Sequence, residues 1–197
     1  MSDEESVHLW LVRHGETPSS RDGVLAGWTN VPLTDTGVAQ AEALRPLLRA
    51  SSFTSVWSSD LDRTLTTARL AYGDATPDRR LRELHFGDLE GRPWLEVEAH
   101  HMQALLAFDG FEAPGGESLR DLRTRVMEFL SSLRPGRHLI FTHGVVIALV
   151  RREVGEKELV PTGSLRIVDW TNRRSLPAPG LAGSATGPDP GFREPRS

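Results

Sequence analysis

The sequence predicts an α/β fold with a mainly parallel central sheet, built as a single domain. Three observations carry this. Short apolar runs at 7–12, 53–57 and 138–142 have the length of buried strands and are too short for helices. Segments between them repeat apolar residues at helical spacing, as in Ala41, Leu44, Leu47 and Leu48. Strand and helix patterns alternate along the chain, the order that layers helices against a parallel sheet. With 197 residues, 38% hydrophobic and 25% charged, the chain is large enough for one well-filled core.

The first strand is residues 7–12, followed by a loop rich in Gly, Ser, Asn and Pro that runs to about Leu33. Thr34 and Asp35 start a helix, which Pro46 is expected to kink or shift. A second strand at 53–57 leads into Ser58-Ser59-Asp60, where Asp60 or a neighbouring serine caps a helix over 61–72, stopped by Gly73. Residues 79–84 read as a short strand. A Gly-rich turn through Gly87 and Gly91 precedes a helix over 94–108. A loop at 109–116 then opens an amphipathic helix over 117–133, which Pro135-Gly136 ends. The third strand, 138–142, is followed by His143-Gly144 and an apolar helix over 145–154. Residues 164–170 form the last strand. The domain spans 7–172 after a short extension at 1–6. Residues 173–197, dominated by Pro, Gly and Ser from Pro177 onward, read as a disordered tail.

Composition narrows the function. A net charge of −4 argues against nucleic acid or an anionic membrane as partner. The absence of cysteine excludes disulfides, thiolate metal sites and cysteine nucleophiles. No stretch is long enough to span a bilayer. The acidic start Met1-Ser2-Asp3-Glu4-Glu5 is unlike a secretory signal, so the expected location is the cytoplasm.

Arg13-His14-Gly15-Glu16-Thr17 sets a guanidinium and an imidazole where a strand breaks into a loop. Arginine grips phosphate with two prongs, and a neutral imidazole is a nucleophile. The form recurs at His143-Gly144. Two histidines ending adjacent parallel strands would face one crevice, beside the N-terminus of the helix after Gly144. The bland rival is two histidines in unrelated loops. Arg63, in the first turn of its helix, runs against the helix dipole. A bound anion or a salt bridge to Asp60 or Asp62 would each resolve that. Glu83 sits among apolar neighbours, and a buried carboxyl near phosphate suits a general acid. Locally, nothing separates it from Glu90.

Six motifs stand in order: Arg13-His14-Gly15-Glu16-Thr17, Gly27-Trp28-Thr29-Asn30-Val31-Pro32-Leu33-Thr34, Ser58-Ser59-Asp60-Leu61-Asp62-Arg63, Leu81-Arg82-Glu83 with Phe86-Gly87-Asp88-Leu89-Glu90-Gly91, Pro114-Gly115-Gly116-Glu117-Ser118 and Thr142-His143-Gly144. In this the chain resembles the histidine phosphatase superfamily, the phosphoglycerate mutase-like family, over residues 7–170. The resemblance implies a three-layer α/β/α sandwich. It also implies that His14 accepts the phosphoryl group, that Arg13, Arg63 and His143 bind the phosphate, and that Glu83 is general acid and then base. Neither metal nor cofactor is implied, since two arginines and a protonated His143 would neutralise the phosphate.

The chain also departs from the family pattern. Pro18, Ser19 and Ser20 replace the aromatic and asparagine often found there, and Thr66 stands where glutamine is common. The stretch from Glu83 to Pro114 is short, and its one fully charged cation is Arg92, which favours the small phosphatases over the mutases. Ser20, Gly27, Trp28 and Arg92 are the candidate substrate contacts, with Phe86, Trp94, Met102 and Phe108 as further wall candidates. The expected activity is hydrolysis of a small phosphorylated metabolite whose remainder is apolar or ring-bearing. The rivals are a phosphoglycerate mutase and a catalytically silent phosphate-binding protein. The expected partner is that small substrate alone, with a homodimer left open.

Overall fold

The structure, a computed structural model, describes residues 5–179. Val7–Arg13 (β1) lies at the centre of a six-stranded sheet. Gly136–Thr142 (β4), Ser55–Ser58 (β2) and Thr76–Pro77 (β3) extend it on one side, all parallel. Leu165–Asp169 (β5) and Arg174–Leu176 (β6) extend it antiparallel on the other. Helices cover both faces, which is why the central strands read as unbroken apolar runs. Trp10, Val12, Leu139 and Phe141 pack with residues of Asp35–Arg49 (α2) and Asp62–Ala71 (α3), including Leu44, Leu48 and Ala68. Leu9, Leu11 and Ile140 pack on the opposite face with Val126 and Phe129 of Leu119–Ser131 (α5) and Val146 and Val150 of Gly144–Arg152 (α6). This is the three-layer sandwich. Two more helices, the single turn Pro18–Arg21 (α1) and Ala99–Ala107 (α4), belong to the loops above the sheet. Among the described residues no helix is long and apolar enough to cross a membrane.

The register of β1 on β4 sets Arg13 opposite Thr142. His14 and His143 therefore leave the sheet side by side at the carboxyl ends of parallel strands, as expected.

Several local expectations are corrected. Pro46 lies inside α2, and the helix continues past it to Arg49. The N-cap of α3 is Leu61, with no side-chain cap, because Asp60 holds Arg82 in a two-pronged pair at 2.7 Å and Ser59 bonds His143. Residues 79–84 are not a strand: pairing stops at β3, and Arg79–Leu81 is a 3₁₀ turn. The helix expected over 94–108 is a 3₁₀ turn at Trp94–Glu96, extended backbone at Val97 and Glu98, and then α4. Ser118 caps α5 in a capping box with Asp121, leaving Glu117 outside the helix. β6 falls within the segment expected to be tail, where Leu176 pairs with Ile167. The rest of that tail from 180, like residues 1–4, lies outside the described residues.

Candidate active site

A single cleft at the carboxyl end of the sheet gathers Arg13, His14, Arg63 and Glu83. These come from β1, α3 and the irregular stretch after β3. Gly15 lets the loop after His14 lie against α2, since a Cβ there would stand 2.3 Å from the Gly37 carbonyl oxygen.

His14 is buried, and its Nδ1 lies 2.8 Å from the carbonyl of Gly15. A carbonyl only accepts, so the neutral ring carries its proton on Nδ1 and leaves the Nε2 lone pair exposed for attack. Burial, with Arg63 and Arg13 beside it, holds the imidazole well below its ordinary range. At neutral pH the ring is unprotonated.

Arg63 is almost wholly buried and donates to the carbonyls of Thr29 at 3.0 Å and Gly27 at 2.7 Å. The salt-bridge rival to Asp60 fails, because Asp60 is taken by Arg82; Asp62 acts on Arg63 only as a weak nearby charge. Burial lowers its pKa to about 10, which still leaves it cationic at pH 7. Its buried Nε has no hydrogen-bond partner. Arg13 donates through Nη1 to the carbonyl of Val160 at 2.6 Å.

The His143 ring meets that of His14 edge-on, with centroids 5.2 Å apart. Its Nε2 lies 2.9 Å from the Ser59 hydroxyl, and its Nδ1 is buried without a partner. Burial first, then Arg63, keeps it well below the usual histidine range. Burial and the cationic neighbours favour the neutral ring over the protonated one expected against a phosphate.

Glu83 accepts from the amides of Leu84 at 3.0 Å and Val145 at 3.2 Å. Burial raises its pKa, opposed by those two bonds and by Arg63 and Arg13. The Val145 amide, in the first turn of α6, therefore serves the carboxyl rather than standing open to an anion, while Gly144 lines the cleft against Arg13.

The structure separates Glu83 from Glu90. The Glu90 carboxylate accepts from the amides of Trp28 and Thr29 and from the Thr29 hydroxyl, at 2.6–3.0 Å. It so holds the loop whose carbonyls grip Arg63.

Of the candidate substrate contacts, Ser20 and Gly27 line the cleft. The Ser20 hydroxyl is engaged in a capping box with Thr17. Trp28 and Arg92 are not among the lining residues. The Trp28 indole stacks against His85 and donates to the Glu83 carbonyl, and Arg92 pairs with Glu98. Phe86 and Trp94 line the cleft; Met102 and Phe108 pack against the core. Sequence reasoning missed Val24, Leu25, Ala26, Val145 and Leu159, which complete an apolar wall. A lone aliphatic in a loop carries no pattern that marks it. It also missed Glu90 and Ser59, although both lie inside motifs.

A family profile described as histidine phosphatase superfamily (branch 1) matches residues 9–174. Fructose-2,6-bisphosphatase TIGAR B of Danio rerio is 36% identical over 157 residues, 75% of this chain and 60% of that one. The chain thus spans less than two thirds of that relative's length. Adenosylcobalamin/alpha-ribazole phosphatase of Escherichia coli K12 is 34% identical over 164 residues, 76% of this chain and 80% of the relative. The crystal structure of a phosphoglycerate mutase from Thermus thermophilus superposes with a TM-score of 0.81 at 48% identity, covering 86% of this chain and 96% of that one.

Proposed function

The chain belongs to the histidine phosphatase superfamily, and from that membership we propose that it hydrolyses small phosphomonoesters through a phosphohistidine on His14. One observation carries the reading. A buried neutral imidazole with its tautomer set by Gly15 shares a cleft with two buried arginines and a buried carboxyl of raised pKa.

The steps follow from these groups. Arg13 and Arg63 hold the phosphate oxygens as charge shifts in the transition state. When the Ser59 hydroxyl donates to its Nε2, neutral His143 carries its proton on Nδ1 and offers it as a further donor. The His14 Nε2 lone pair forms the N–P bond as the ester O–P bond breaks. Protonated Glu83 delivers its proton to the departing oxygen and is left a carboxylate. It then takes a proton from water as the water oxygen attacks phosphorus, the N–P bond breaks, and phosphate leaves.

The wall beyond the phosphate limits the substrate. Val24, Leu25, Ala26, Phe86, Trp94, Val145 and Leu159 are apolar, and among the described lining residues the only arginines or lysines are Arg13 and Arg63. A second phosphate entering this wall would be desolvated without a partner, which is strongly unfavourable. The substrate is therefore a monophosphate with an uncharged, partly apolar remainder. A mutase is favoured by the name of the similar Thermus structure, and disfavoured by the lack of a cation for the second phosphate of its intermediate.

The test is a panel of phosphorylated metabolites, 3-phosphoglycerate and nucleotides included, assayed for phosphate release. Phosphate release without 2-phosphoglycerate formation is expected, with phosphate trapped on His14. His14→Ala should lose at least about a thousandfold in kcat/KM with the fold retained. Survival of activity within about tenfold would overturn the nucleophile assignment.

A further inference from the structure

The motif Pro114-Gly115-Gly116-Glu117-Ser118 has no part in the chemistry above, yet it packs tightly on the segment that carries the acid. A Cβ on Gly116 would stand 2.3 Å from the His85 carbonyl oxygen, and one on Gly87 would stand 2.1 Å from that of Pro114. Glu117, at the end of this motif, accepts from the His85 amide at 3.0 Å and faces Arg125 of α5.

Arg125 uses all five of its N–H donors. Nε and Nη2 hold the two Glu117 oxygens at 2.8 and 2.7 Å. Nη1 donates to the carbonyls of Arg80 at 2.8 Å and Arg82 at 2.6 Å, and Nη2 donates to that of Glu83 at 2.8 Å. The Leu81 carbonyl is taken by the Thr142 hydroxyl, and the Trp28 indole gives Glu83 a second donor. Four successive carbonyls with no strand partner are thus satisfied by side chains. Backbone buried outside a ladder must find such partners. Here one planar fork supplies three of them, with spacing that a lysine ammonium cannot reproduce.

We propose that the Arg125–Glu117 pair is a positioning device for Glu83, holding residues 80–85 so that the carboxyl reaches the leaving-group oxygen. It rests on Glu83 acting as the general acid. Arg125 touches no substrate and works through the main chain of the acid itself. A carboxyl carried on an irregular segment has no sheet to fix its position, so the fork takes that part.

The test compares p-nitrophenyl phosphate, whose leaving group needs little protonation, with n-hexyl phosphate, whose alkoxide needs it. Arg125→Lys should lower kcat on the hexyl ester by about 30–100-fold, as a displaced catalytic group does, and on the nitrophenyl ester by less than about threefold. Glu117→Gln should act in the same sense by about tenfold, and it carries the test if Arg125→Lys does not fold. In a Glu83→Gln background, Arg125→Lys should cost the two esters equally. Equal losses in the Glu83-containing enzyme, or none, would mark the pair as structural only and overturn the proposal. If Glu83→Gln itself fails to discriminate the esters, the acid assignment falls and the clamp with it.

Discussion

In the proposed reaction Glu83 is an acid early in the turnover and a base later, and its surroundings suit both. Burial favours the protonated form, while two amides and two arginines keep the carboxylate accessible once the proton has gone. His14 is perturbed the opposite way and stays unprotonated well below the ordinary histidine range. The sign follows directly. As pH rises through the raised pKa of Glu83, the acid is lost and turnover of alkyl esters falls. As pH drops below about 6.5, the nucleophile is not lost at its ordinary pKa. The pH–rate profile of n-hexyl phosphate should therefore climb as pH falls through the raised pKa of Glu83, and Glu83→Gln should remove that slope. A falling limb that survives in Glu83→Gln would place the titrating group elsewhere.

Among elements, the loop after β1 and the start of α2 depend on each other. Gly15 and Gly37 meet so closely that a Cβ on Gly37 would lie 2.1 Å from the Glu16 carbonyl oxygen, an atom of main chain that cannot swing aside. Gly37→Ala should cost about 1–3 kcal/mol of stability, as overpacking does, and lower turnover by displacing the loop next to His14; urea unfolding and kcat check this. The loop at 27–29 depends on Glu90 in the same way. Glu90→Ala should weaken inhibition by inorganic phosphate about tenfold, since Arg63 loses the ordered carbonyls that aim it; an unchanged inhibition constant would make Glu90 incidental to the site.

The elements also show what kind of pattern is legible. β1, β4 and α5 are readable because burial on both faces or on one stripe writes a periodicity into the sequence. Residues 79–84 read as a strand because Leu81 and Leu84 are buried and alternate poorly with arginines. Their carbonyls go instead to Arg125 and Thr142, more than forty positions away. No local pattern announces such partners.

At the scale of the whole molecule, the site loads the fold with buried neutral histidines. His14 and His143 are depressed in the folded state, and His138 is lowered in the same direction. The unfolded chain takes up protons near pH 6.5 and the folded chain does not, so stability falls as pH drops through about that value. The two strongly depressed groups give this decline its steepness just below about pH 6. Glu83, raised in the folded state, acts oppositely above its ordinary range and only partly offsets this. Urea midpoints should therefore decline from about pH 7 to about pH 5. A flat profile would mean that the histidines are charged in the folded protein. Activity and stability thus pull in opposite directions in acid.

The sequence by itself determined the layering, the positions of His14 and His143 at strand ends, and the identity of the groups proposed here for phosphoryl transfer. These depend on periodicity and residue type, which are local. Only the tertiary structure decided that His143 and Glu83 are buried beside arginines, that Glu90 instead holds the loop at 27–29, and that an apolar wall lines the cleft. Protonation and role depend on burial and on partners such as Gly27, Thr29, Arg125 and Val160. Those partners are distant in the chain, so folding must bring them together before the chemistry is set.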